Sequence, residues 1–208
     1  NLLFYGPFVV GVLGALFFDG FATSVLPEAN LQQMESMYAT DIGRTSGQDA
    51  TMAGFYVWNN VGIAFRCFAT GALAGLGTVF YLVYNGLLMG TIEGHLWRVG
   101  LGWNLLEFTA GHTAWELTGV VVAGAAGLRL GWSIVVTNGR TRVGSIRAAG
   151  PAIYRLLLGA MALLFIAAAI EGFWSAGPQP LWLKLVFGAF GCVAVAVWLL
   201  AGLVRSSA

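Results

Sequence analysis

His112 and Glu116 are the two residues of this chain whose types and spacing could do chemistry inside a membrane. They lie four residues apart in an otherwise apolar stretch, and residues four apart share one face of a helix. A charged side chain at the centre of a bilayer costs roughly 2.5–3.5 kcal/mol on insertion scales. We therefore expect this imidazole and carboxylate to face a protein interior or a water-filled cavity.

Further polar residues at the predicted membrane depth extend this pair into a candidate site. Arg66 lies inside an apolar segment, so it must reach the interface or pair with a carboxylate, and Glu93 and Glu116 are suitable partners by depth. The predicted buried polar cluster consists of His112, Glu116, Glu93, His95, Arg66, Asn59, Asn60 and Glu171.

Three interpretations of this cluster differ in chemistry. We favour a hydrogen-bonded structural network. The first alternative is a proton relay or substrate path. The second is a metal site, since imidazole and carboxylate bind Zn²⁺, but the HExxH pattern is missing. Its ligands would be His95, His112, Glu93 and Glu116. We accordingly predict no bound cofactor or metal.

The composition indicates what must position these residues. The chain is 58% hydrophobic and 9% charged, whereas soluble domains carry about 25% charged residues. This excludes a soluble globule and predicts an all-α polytopic transmembrane helical bundle of five to six helices, forming a single domain over 1–208. The predicted apolar segments are 2–26, 58–84, 87–97, 109–133, 152–174 and 182–204.

Asn85-Gly86 is a break signal, which leaves 87–97 as a short segment that could cross the membrane, re-enter it or continue the preceding helix. A polar outer loop is predicted at 27–56. Within it, apolar residues at helical spacing indicate a short surface helix that packs on lipid, on the bundle or on a partner. These residues are Leu31, Met34, Met37 and Tyr38.

The arginines predict the orientation. Five arginines and no acid lie between Arg129 and Arg155 inclusive, and such basic connections stay in the cytoplasm. The loop at 27–56 then lies outside, and the chain is a multi-pass protein of the bacterial inner membrane, in contact with lipid. Glycines recur at a spacing of four, which allows close helix packing within one bundle or, alternatively, in a homo-oligomer. The pairs are Gly71/Gly75, Gly86/Gly90, Gly90/Gly94 and Gly127/Gly131.

Five motifs occur in order along the chain: Asn59-Asn60, the segment 84–90 (YNGLLMG), the segment 111–117 (GHTAWEL), the segment 123–131 (AGAAGLRLG) and the segment 170–173 (IEGF). In this order they resemble the stage II sporulation protein M family of integral membrane proteins. The resemblance covers about residues 55–175, and we expect it to extend over the whole chain. It implies a membrane partner of peptidoglycan-degrading proteins, as in the sporulating namesake, although many relatives belong to bacteria that form no spores.

The remaining motifs favour a non-enzymatic protein over an enzyme. The sequence has no glycine-rich phosphate loop and no G-x-S-x-G elbow, and it lacks the basic surface that nucleic-acid binding needs. We therefore predict a scaffold that docks other envelope proteins of the peptidoglycan-remodelling type. The alternatives are a small-molecule or proton-coupled transporter and, more weakly supported, a metal-dependent intramembrane hydrolase.

Overall fold

Helices form all the regular structure in the computed structural model, which describes residues 1–39, 46–175 and 177–207. The described helices are α1 (Leu2–Phe17), α2 (Phe21–Val25), α3 (Glu28–Ala39), α4 (Ser46–Ala69), α5 (Leu76–Arg98), α6 (Gly102–Thr109), α7 (Thr113–Val135), α8 (Arg142–Ile170) and α9 (Leu181–Ser207). A π-helical turn, Glu171–Ser175, continues α8. The prediction of an all-α helical membrane protein is confirmed.

Three of the described helical segments are long and apolar enough to cross a membrane. They are Thr113–Val135, Arg142–Ser175 and Leu181–Gly202, while Leu2–Phe17 is a shorter apolar helix. Length and composition alone define this set, so the predicted total of five or six crossings stays a prediction.

The break predicted at Asn85-Gly86 is wrong. Both residues lie inside α5, which runs without interruption from Leu76 to Arg98 and includes the segment 87–97. The chain reverses earlier, between α4 and α5, where Ala74 and Gly75 have φ values of 54° and 86°. Left-handed backbone of this kind ends a helix and favours glycine.

The glycines of α5 serve helix packing. A Cβ atom on Gly86, Gly90 or Gly94 would collide with the backbone carbonyl of Phe4, Phe8 or Val12, respectively. These contacts advance together along both helices, so α1 and α5 run parallel with their backbones in contact. The spacing of four therefore reports close packing within this chain, as expected for small residues between membrane helices.

A second close approach joins the α4–α5 turn to α7. A Cβ on Gly71 would meet the backbone of Gly127, and a Cβ on Gly131 would meet the backbone of Gly75. Since α4 ends beside the second half of α7, the start of α5 lies near the connection between α7 and α8. This connection and the first turns of α8 carry Arg140, Arg142 and Arg147, and we call this side of the bundle the arginine-rich end.

The opposite end of the bundle carries α2, α3 and α6, which we call the platform. The apolar face of α3 packs against the bundle, where Leu31 and Tyr38 are buried and Met34 is partly buried. Met37 is 45% exposed. The predicted surface helix is thus present, but three of its four apolar residues pack against the bundle.

The predicted loop at 27–56 and the predicted helix start near Trp58 both need correction. The described part of that loop is α3 and the first turns of α4, which begins at Ser46. Residues 40–45 lie outside the described residues.

Candidate functional site

A buried polar site lies near the platform end, where α4, the start of α7 and the π-helical turn meet. Asn60 comes from α4, His112 immediately precedes α7, Glu116 lies in the first turn of α7, and Glu171 lies in the π-helical turn. One ligand atom from each of His112, Glu116 and Glu171 lies within 4.8 Å of the others. We call these three residues the His/Glu triad.

The start of α7 stacks His112 and Glu116. The backbone N–H of Glu116 donates to the carbonyl of His112 at 3.0 Å, which sets the first turn of the helix. Nε2 of His112 then lies 3.8 Å from a carboxylate oxygen of Glu116, beyond ordinary hydrogen-bond length. The histidine is only 2% exposed. The shared face predicted from the spacing is therefore present, with a gap between the two groups.

The other imidazole nitrogen is held by the π-helical turn. Nδ1 of His112 lies 2.8 Å from the hydroxyl of Ser175, which is 1% exposed. The ring of Phe108 meets the imidazole edge-on, with ring centroids 5.4 Å apart. These contacts fix the plane of the imidazole. With the ring proton on Nδ1, this nitrogen donates to Ser175, and the lone pair of Nε2 points toward Glu116.

A pair of neighbouring amides supports the second carboxylate. The side-chain N–H of Asn60 donates to Glu171 at 3.4 Å, and the side-chain N–H of Asn59 donates to Asn60 at 3.1 Å. Asn60 and Glu171 are both buried. A buried carboxylate without polar partners is costly. The two amides of α4 therefore lower the cost of burying Glu171 beside this helix.

A second polar group beside the triad involves residues outside the predicted cluster. The ammonium of Lys184 in α9 donates to the carbonyl oxygen of Ser175 at 2.9 Å and to the carboxylate of Glu107 at 3.4 Å. Lys184 is 2% exposed. The available signal was a lone lysine in the last apolar segment, since an ionisable group at that depth needs a partner. Ser175 carries no such signal in the sequence.

Three members of the predicted cluster lie elsewhere. Arg66 is exposed near the end of α4, and its guanidinium lies back along that helix, 3.7 Å from where a Cβ on Gly62 would stand. It therefore lies outside the buried site. His95 contacts Glu35 of α3 at 2.6 Å. Glu93 is half-buried on α5, and no contact among the described residues joins it to the triad.

These placements also change the candidate metal ligands. The sequence predicted His95, His112, Glu93 and Glu116, whereas the described residues bring together His112, Glu116 and Glu171. The difference arises in α5. The sequence indicates how deep in the membrane Glu93 and His95 lie, but not which way their side chains face on this helix. Glu171 is close because α8 returns antiparallel to α7 and places its last turn beside the first turn of α7.

Comparison with known proteins gives one informative result. The family model described as Stage II sporulation protein M matches residues 2–176. The chain belongs to this family. The match includes every member of the triad and ends before α9, so Lys184 lies outside the matched region. Comparison with the curated proteins and with the solved structures gives no match.

Proposed function

We propose that this member of the family is a multi-pass scaffold of the bacterial inner membrane that docks peptidoglycan-remodelling envelope proteins and has no catalytic activity of its own. Family membership supports the role of a membrane partner. The arginine-rich end is assigned to the cytoplasm by the positive-inside rule. The platform then faces outward, where such partners work.

The observation that carries this proposal is the fixed position of the platform. Asp19, which follows α1, forms an ion pair with Arg98 at the end of α5. Glu35 of α3 contacts His95 at 2.6 Å. The side chain of Asn104 donates to the carbonyl of Tyr38 at 2.7 Å and ties α6 to α3. A surface held at several points is suited to presenting a constant face to a partner, because little conformational freedom is lost on binding.

The outward face of the platform is polar. Glu28, Gln32 and Gln33 are exposed on α3, as is the apolar side chain of Met37. Mixed polar and apolar surface of this kind is ordinary for non-obligate interfaces. It is therefore the surface that we assign to an extracytoplasmic partner.

The lateral surface of α9 offers contact with a second membrane protein. Only 17% of the most apolar stretch of Leu181–Gly202 is buried, compared with 61% of that of Thr113–Val135 in α7. Up to Gly202, the buried residues of α9 form a single stripe, Lys184, Gly188, Gly191 and Val195. The remaining faces contact lipid or a membrane-spanning partner, and a second copy of the chain is the alternative occupant.

Co-purification in mild detergent tests the proposal. We expect the wild-type protein to enrich peptidoglycan-remodelling envelope proteins relative to an unrelated multi-pass protein. The triple variant Glu28→Ala, Gln32→Ala, Met37→Ser should lower their recovery by about 10-fold, because losing about 1.4 kcal/mol of interface energy has this effect. Quantitative mass spectrometry of the eluate measures the recovery.

The control variant changes one charged and one apolar residue at the arginine-rich end, as the platform variant does with Glu28 and Met37. Arg140→Ala with Val143→Ser should retain full recovery, since both side chains are exposed on the opposite side of the bundle. Equal recovery with the platform and control variants, or no enrichment with the wild type, would contradict the docking proposal. The transport alternative stays a prediction.

A further inference from the structure

We infer that the His/Glu triad binds a divalent transition-metal ion, with Zn²⁺ as the expected occupant. The ligand atoms of His112, Glu116 and Glu171 already lie within 4.8 Å of one another. Zinc takes nitrogen and oxygen ligands at about 2.0–2.2 Å, which places two ligands of a tetrahedral ion about 3.5 Å apart. Small rotations of the Glu116 and Glu171 side chains would shorten the distances between the ligand atoms to this value.

The imidazole has the orientation that a metal ligand needs. In most metal sites the nitrogen that does not bind the metal donates its proton to a fixed acceptor, which holds the ring and selects its tautomer. Ser175 occupies this position against Nδ1 of His112 at 2.8 Å. Nε2 faces Glu116 at 3.8 Å, a separation that leaves room between the two atoms for an ion.

The carboxylates show a comparable outer arrangement. Asn60 donates to one oxygen of Glu171 and is itself held by Asn59. The amide can thus orient one carboxylate oxygen while the carboxylate still binds an ion. Outer partners of this kind on both the imidazole and a carboxylate distinguish the triad from a chance meeting of acidic side chains.

Charge favours a divalent cation in this place. When both are ionised, the carboxylates of Glu116 and Glu171 together match the charge of a divalent ion. The ammonium of Lys184 is engaged by Glu107 and the carbonyl of Ser175. The imidazole nitrogen selects zinc or another transition metal over calcium and magnesium, which prefer oxygen ligands alone.

Zinc binding to the intact protein tests the inference. The chain is purified in mild detergent with a histidine-free affinity tag, stripped with a chelator and titrated with Zn²⁺ against a fluorescent chelating indicator. We expect one ion per chain. Ser175→Ala should weaken binding by about 10- to 100-fold, the usual effect of losing an outer partner, and His112→Ala and Glu171→Gln should weaken it further.

His95→Ala is the matched control, because His95 also contacts a glutamate at the platform end but lies outside the triad. It should retain the wild-type affinity. Size-exclusion profiles establish that each variant is folded. If the triad variants do not fold, X-ray absorption at the zinc edge of the wild-type and His95→Ala proteins should each show one imidazole and oxygen ligands. Substoichiometric binding, or loss of binding in His95→Ala, would overturn the inference.

Discussion

Gly90→Ala is expected to lower the free energy of unfolding by about 3 kcal/mol, the upper part of the range for an overpacked interior. The added methyl group would collide with the carbonyl oxygen of Phe8. A backbone atom cannot rotate away, so α1 and α5 would have to separate along their length. For a chain of this size the loss corresponds to a decrease in Tm of roughly 6–12 °C. Thermal unfolding in detergent, followed by size-exclusion fluorescence, measures it.

Gly202→Ala provides the control for this prediction. Gly202 is also helical, but a Cβ there would meet no neighbouring element within 4 Å, and no proline follows it. Alanine should therefore be neutral or should stabilise the helix by up to about 1 kcal/mol through its higher propensity. Similar losses in both variants would show that the contact between α1 and α5 is not close.

Lys184→Met is expected to lower the free energy of unfolding by about 2 kcal/mol. The substitution removes the ammonium that binds the carbonyl of Ser175 at 2.9 Å and leaves that buried acceptor without this donor, which costs about 1–3 kcal/mol. Because α9 is held by a single buried stripe, its first turns should also become easier to cleave. Thermal unfolding and limited proteolysis near residue 181 measure the two effects.

Glu107→Gln separates the two contacts of this lysine. The carboxylate of Glu107 is 48% exposed, and an ion pair so open to water contributes only about 0–1 kcal/mol. The variant should therefore lose much less stability than Lys184→Met. An equal loss would mean that the ion pair, and not the bond to the backbone of Ser175, attaches α9 to the bundle.

The sequence was sufficient for features that depend on local spacing and composition. The apolar content predicts a helical membrane protein, and the spacing of His112 and Glu116 predicts their common face. The glycines of α5 show where such inference fails. Gly86 follows an asparagine, which is a turn signal by local rules, yet it lies mid-helix because Phe4 requires a residue without a side chain. This requirement exists only once α1 is packed.

The composition of the polar site was less predictable for a similar reason. Depth along the sequence suggested Arg66 and Glu93 as partners of Glu116, but depth does not specify which way a side chain faces. Asn60 and Glu171 are separated by 111 positions in the chain and meet only because the π-helical turn after α8 packs against α4. Ser175 reaches His112 because it lies in the π-helical turn. No residue spacing in the sequence predicts such a turn.

Cross-linking across the buried site tests most directly the claim that α4 and the end of α8 meet there. Asn60→Cys and Glu171→Cys are introduced together in a chain whose Cys67 and Cys192 are replaced by alanine. A protease site is placed at the exposed Asn138–Gly139 connection.

After treatment with a short thiol cross-linker and cleavage, we expect the two halves to remain joined on a denaturing gel. The pair Arg66→Cys and Glu171→Cys should separate. Joined halves for the Arg66 pair, with separation for the Asn60 pair, would contradict the convergence of these elements on the site.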